Sequence, residues 1–140
     1  MIYVAVQPSS EPQRDARRRD TIARFFAAIQ AGDFPVLHEI LAAGAVTVWP
    51  QSGERITGSM ACARVYETYP GGPPTYLVKR ISGAGDLWVA ELVADYGVER
   101  WHAVSVIKFE GPLITQMTDY FGPSLPAPDW RRGLVELDEV

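Results

Sequence analysis

The second half of this sequence constrains the fold most, because four consecutive segments there read as strands on short turns. Thr75 to Ile81, Asp86 to Tyr96, Trp101 to Phe109 and Leu113 to Phe121 are rich in β-branched and aromatic residues. Between them lie Ser82-Gly83-Ala84-Gly85, Gly97-Val98-Glu99-Arg100 and Glu110-Gly111-Pro112, all of hairpin length. Connections this short leave no room for a crossover, so consecutive strands must pair antiparallel as a meander. A sheet with an apolar face needs a second layer to cover it.

The first half supplies that layer. From about Arg17 to Ala31, Ile22, Phe25, Phe26 and Ile29 recur at helical spacing and form one buried stripe. Gly32 is a helix stop, Asp33 can cap a second helix, and Pro35 fits its first turn. Leu37, Ile40 and Leu41 form the inner face of that helix, which Gly44 ends, and His38 falls on its wet side as a surface residue. Ala45 to Trp49 reads as a strand, Pro50 to Gly53 as a turn and Glu54 to Thr57 as the return strand. Ser59 is placed to cap a third helix running to Tyr69, with Cys62, Tyr66 and Tyr69 on one face. The expected organisation is a loose arm over 1–12, one α+β domain over 13–122, and a Pro-rich tail over 123–140 docked through Trp130, Leu134 and Leu137. The expected architecture is a curved antiparallel sheet with the N-terminal helices packed on its concave face around a small-molecule pocket.

Charge and composition narrow the function. The chain has 140 residues, and its 13 basic against 17 acidic residues give a net charge of −4, which disfavours nucleic acid as a partner. The basic run Arg17-Arg18-Arg19 is expected to be a solvated helix face. No apolar run approaches the roughly 20 residues that cross a bilayer, so no membrane span is expected. The start of the chain lacks the basic region of a secretory signal. The single cysteine, Cys62, excludes an intramolecular disulfide and suits a reducing, cytoplasmic setting, where it is expected to be a small buried hydrophobe. Neither metal-ligand spacings nor a phosphate-binding glycine loop occurs, so neither a metal nor a cofactor is expected.

Register then proposes a site. A four-residue loop at Gly97 to Arg100 pairs Asp95 with His102, and a two-residue turn at the next hairpin sets His102 opposite Asp119 or Phe121. Alternation then gathers Glu91, Val93, Asp95, His102, Val104, Met117, Asp119 and Phe121 on one face. Aliphatics mixed with acids and a histidine fit a pocket with convergent polar groups. The same polar residues could instead be solvated strand ends, and a loop one residue longer would send Glu91 and Asp95 to the other face. That other face, with Leu92, Tyr96, Trp101, Ile107 and Tyr120, is apolar enough to expect a symmetric homodimer across it.

These residues carry a family resemblance. Ile22 to Asp33 with its Gly-Asp exit, the strand Val48-Trp49-Pro50, Gly58 before the third helix, Thr118-Asp119-Tyr120-Phe121 and the later Trp130-Arg131 together resemble the SnoaL-like branch of the nuclear transport factor 2-like superfamily. The ending is similar to that of uncharacterised bacterial members. The resemblance implies a cone-shaped α+β barrel, usually a homodimer, with a pocket between sheet and helices. Relatives include polyketide cyclases, a ketosteroid isomerase and limonene-epoxide hydrolase. The epoxide hydrolase's Arg-x-Asp has no counterpart in Glu91 to Asp95, which contains no arginine.

Two functions follow as expectations. The first is an enzyme of isomerase, cyclase or hydrolase type acting on a small apolar or cyclic molecule. Asp119 is its general acid/base, His102 the partner and Glu91 a second acid, with Trp49, Tyr66, Val104, Met117 and Phe121 contacting substrate. The second is a non-catalytic dimeric ligand-binding or scaffolding domain in which Asp119 is structural.

Overall fold

The computed structural model of the chain describes residues 10–138. Helix α1 spans Glu11–Ala31, a short 3-10 turn covers Phe34–Val36, and α2 is the single turn Leu37–Ile40. Strands β1 (Leu41–Trp49) and β2 (Glu54–Thr57) follow, then α3 (Ser59–Glu67). The meander is β3 (Thr75–Ala84), β4 (Leu87–Asp95), β5 (Arg100–Glu110) and β6 (Leu113–Pro123), and a last 3-10 turn covers Asp129–Leu134. All six strands form one sheet in the order β2-β1-β6-β5-β4-β3. The α+β plan with its antiparallel meander is present, and one pairing departs from it: β1 runs parallel to β6.

Helix α1 starts earlier than its apolar stripe predicts. The Ser10 hydroxyl accepts from the Gln13 backbone N–H while the Gln13 side chain accepts from the Ser10 N–H. This capping box satisfies two otherwise orphaned donors, and a proline sits within the first turn, where its missing N–H does no harm. Residues 10–12 thus belong to the helix and its cap, and the rest of the expected arm lies outside the described residues. Gly32, at φ 71°, closes the helix in the left-handed conformation. Chain 41–44, expected to be helical, is already strand, and the Asp33 side chain makes no capping bond that would prolong the second helix.

The core lies between α1 and the concave side of the sheet. Ile22, Phe25, Phe26 and Ile29 are buried there against Trp88, Ala90, Ile107 and Ile114. Gly83 admits Trp88: a Cβ at Gly83 would lie 2.8 Å from the Trp88 Cα, and its φ of 151° disfavours any side chain. Arg18, expected on a solvated face, is instead a clasp. Its guanidinium donates to the Gly85 and Gly111 carbonyls at 2.5 and 3.0 Å, pairs with Asp86 at 3.0 Å, and lies over the Phe109 ring. It thereby ties the β3–β4 and β5–β6 turns to α1.

The tail does not dock as expected. Trp130, Leu134 and Leu137 are exposed, and the contacts at the final turn are local, with Arg132 on Asp129 and Arg131 over the Trp130 ring. Beyond the end of β6, Pro126 and Pro128 lack the N–H that would let the segment add to the sheet.

Candidate active site

One extra residue in β6 decides which side chains meet. Beside the turn, Glu110 pairs with Leu113 and Phe109 with Ile114, the register a two-residue turn implies. The pairing then shifts, so that Lys108 faces Gln116 and Thr115 is left over as a bulge. A shift of one residue turns every later β6 side chain to the opposite face relative to β5. Ser105, rather than His102, therefore stands across from Asp119.

The concave face consequently carries Trp101, Ala103 and Ser105 from β5 beside Asp119 and Phe121 from β6. Together with the helices they enclose a cavity of about 160 Å³. Phe26 of α1, Tyr66 of α3 and Trp49 of β1 close its helical side, and Tyr76 and Tyr96 its β3–β4 side. Tyr69 stacks on Tyr96 with ring centroids 5.0 Å apart. The Phe121 ring lies between two indoles, with centroids 5.9 Å from both Trp49 and Trp101. Gln51 holds the Phe121 backbone by accepting its N–H at 2.6 Å and donating to its carbonyl, which fixes the end of β6.

Among the described residues Asp119 is the single charged group lining this cavity, and it is 8% exposed. Trp49 Nε1–H donates to its Oδ2 at 3.0 Å and the Ser105 hydroxyl donates to its Oδ1 at 2.7 Å. Burial pushes its carboxyl pKa up, while the hydrogen bonds from Ser105 and Trp49 pull it down; the net shift is upward. Burial, followed by the Asp119 charge, raises the Tyr66 hydroxyl well above its usual value. Tyr76 is raised by burial, then by Tyr96 and Asp119. Both phenols therefore stay protonated at physiological pH and remain available as donors.

The other expected site residues are dispersed. His102 faces the convex side, its Nε2 2.8 Å from Ser124 Oγ, and Glu91 accepts from Arg80 Nε there at 2.7 Å. Val104 shares a shallow convex groove with both. The bulge at Thr115 separates these three from Asp119, which corrects the expected cluster. Met117 is on the inner side but sits in the packed core, 2% exposed, rather than on the cavity wall. Trp49, Tyr66 and Phe121 do line the cavity. Sequence reasoning missed Ser105 and Trp101 as site residues, because it set them on the face opposite Asp119. Among the described residues no three His, Cys, Asp or Glu side chains gather as a metal ion would require.

A curved sheet closed by helices over an aromatic cavity defines the class: a small α+β domain of one six-stranded sheet with helices packed on it. The chain belongs to the SnoaL-like family, whose domain model matches residues 22–117. It is similar to an NTF-2-like protein of unknown function from Burkholderia xenovorans LB400, with 33% identity and a TM-score of 0.80 over 90% of this chain and 98% of that one. A candidate ketosteroid isomerase from Kribbella flavida DSM 17836 has the same fold at 24% identity and a TM-score of 0.80, covering 89% of this chain and 92% of that one. An NTF2-like protein of unknown function from Cytophaga hutchinsonii ATCC 33406 matches at 18% identity and a TM-score of 0.66, over 85% and 95% of the two chains. No protein of curated function gives a significant match.

Proposed function

We propose that the pocket catalyses proton transfer on a small, uncharged, largely apolar substrate, in an isomerase-type reaction with Asp119 as the base. The observation that carries this reading is a buried carboxylate in an aromatic cavity whose lining, among the described residues, contains no Lys, Arg or His. Without a cationic neighbour, burial moves the carboxyl toward the pH range where it can both take and return a proton. Trp49 and Ser105 hold its orientation, and each oxygen keeps a lone pair for the substrate. A C–H bond beside a carbonyl breaks, its electron pair passes into an enolate, and Asp119 returns the proton to that carbon or, where a C=C is conjugated with the enolate, to the far carbon of the resulting dienolate. Tyr66 or Tyr76 supplies a hydrogen bond to the developing oxyanion. As proposed, these steps call on no metal or cofactor.

The test is solvent-deuterium uptake at the carbon beside the carbonyl in a panel of small cyclic ketones. The wild-type protein should promote uptake, and Asp119→Asn should lose about 10²–10⁴-fold of it. A folded D119N protein that exchanges as fast as wild type removes Asp119 from the chemistry. The competing reading, a non-catalytic ligand-binding domain, is favoured by the engagement of both Asp119 oxygens with protein donors. Ligand binding without exchange in the wild type would select it.

We also propose that the chain forms a homodimer through the convex sheet face. The face that strand alternation assigns to the dimer cannot serve, since Leu92, Tyr96 and Trp101 line the cavity and Ile107 lies in the core. The convex side instead exposes Leu77, Val104 and Tyr120.

A further inference from the structure

We propose that the stacked pair Tyr69–Tyr96 sets the size limit of the substrate: it walls the cavity off from an outer groove and restricts it to molecules of about one ring. The inference rests on the reading of the cavity as a substrate site and adds what fixes the length of that substrate.

The two rings belong to two spaces at once. Each lines the cavity that holds Asp119. Each also lines a groove of about 630 Å³ between residues 70–73, which follow α3, and residues 97–99 of the β4–β5 turn. A pair of side chains with a surface on both spaces is the partition between them. Its outer side is wet, since Tyr69 is 42% exposed and Val98, in the same groove, is 96% exposed.

The partition is assembled from two turns that hold it shut. The rings lie 5.0 Å apart at their centroids and 25° from parallel, a spacing at which aromatic faces attract. The Tyr69 carbonyl accepts from the Gly72 N–H at 3.1 Å, and the Tyr96 N–H donates to the Glu99 carbonyl at 3.0 Å. Each ring is thus carried by a closed turn at the surface rather than by the packed core, so that removing one ring leaves the stripe of α1 and its partners in place.

Position and volume give the pair its consequence. Tyr96 follows the end of β4 beside the turn, whereas Asp119 pairs with Ser105 further along β5. The stack therefore stands on the turn side of the carboxylate, where the far end of a substrate reacting at Asp119 would point. With the stack in place the space is about 160 Å³, close to the engineered apolar cavity that accommodates one benzene. Without it the cavity would open into the groove, where Pro70, Pro73 and Val98 offer apolar surface to a second ring.

The experiment uses the full chain and two ketones with the same acetyl group: acetophenone and para-acetylbiphenyl, which is one ring longer. Affinities are read from tryptophan fluorescence, because Trp49 and Trp101 line the cavity. In an unobstructed site the second ring would strengthen binding by burying more apolar surface. The wild-type protein should reverse that order and bind acetophenone at least about tenfold tighter. Tyr69→Ala should move the affinity ratio at least about tenfold toward the biphenyl. Tyr96→Ala, which removes the other half of the stack, should move it the same way and serves if Y69A does not fold. A purely structural role would weaken both ketones together and leave their ratio unmoved. Wild-type protein that binds the biphenyl as tightly as acetophenone overturns the size limit, and this comparison needs no variant. A ratio unmoved in Y69A and Y96A overturns it as well. If neither ketone binds the wild type or either variant, the substrate-site reading falls together with the size limit; if acetophenone binds and the biphenyl binds equally well, only the size limit falls.

Discussion

Asp119 concentrates the physics of the site in one side chain. Its folded-state pKa is raised, chiefly by burial. Below the usual carboxylate range both folded and unfolded chains hold the proton, and its contribution to stability is fully present. As pH rises the unfolded chain releases its proton first, so the folded state binds more protons and stability falls through the window up to the raised value. Asn at this position cannot ionise. It can still accept from Trp49 through its oxygen and donate to Ser105 through its amide. D119N should therefore melt higher than wild type near neutral pH, with the gap closing toward about pH 4. Thermal denaturation across pH measures this directly. A gap that widens on acidification would mean that Asp119 is held ionised by its two donors and is structural.

The first helix illustrates how one element serves two ends of the molecule. Its C-terminal half carries the apolar stripe, in which Phe25 is 1% exposed, while its N-terminal half reaches the hairpin turns through Arg18 and Asp15. The Arg18 side chain is only 11% exposed, so its bonds are shielded from water better than those of the neighbouring arginines. Arg18→Ala should destabilise the fold by about 1.5–3 kcal/mol, the range for hydrogen bonds involving a charged group. Phe25→Ala should cost about 3–5 kcal/mol. Urea denaturation of both variants tests the placement, and an R18A protein as stable as wild type would reduce the clasp to an exposed contact. The early start of α1 was legible in Ser10-Glu11-Pro12-Gln13, a capping box with a first-turn proline, although the apolar stripe alone points to a later beginning.

On the scale of the whole molecule, the sheet has one face committed to the core and cavity and one left outward. On the outward face Tyr120 is 49% and Leu77 57% exposed, beside the Arg80–Glu91 pair and His102. A dimer formed there leaves the cavities on the far sides of both sheets. Tyr120→Glu should shift light-scattering mass from dimer to monomer without disturbing the deuterium uptake assigned to Asp119. A wild-type protein that is monomeric at micromolar concentration would end the dimer proposal.

Strand periodicity, hairpin-length turns and the α1 stripe were determined by the sequence itself, because each is a local pattern whose meaning does not depend on distant residues. The β4–β5 faces follow from that pattern: Leu92, Ala94, Trp101 and Ala103 share one side, as alternation across a short loop requires. The parity of β6 does not follow. It rests on the single bulge at Thr115, where two registers of similar local preference compete and the choice goes to whichever buries Met117 and Ile114 against the helices. That choice set Asp119 among aromatic rings and left His102 and Glu91 on the outside. The parallel pairing of β1 with β6 was likewise beyond sequence, since it joins segments about 70 residues apart, as the Trp49–Asp119 bond shows. Local chemistry therefore specified the elements and the acid, and only tertiary packing decided which neighbours that acid would have.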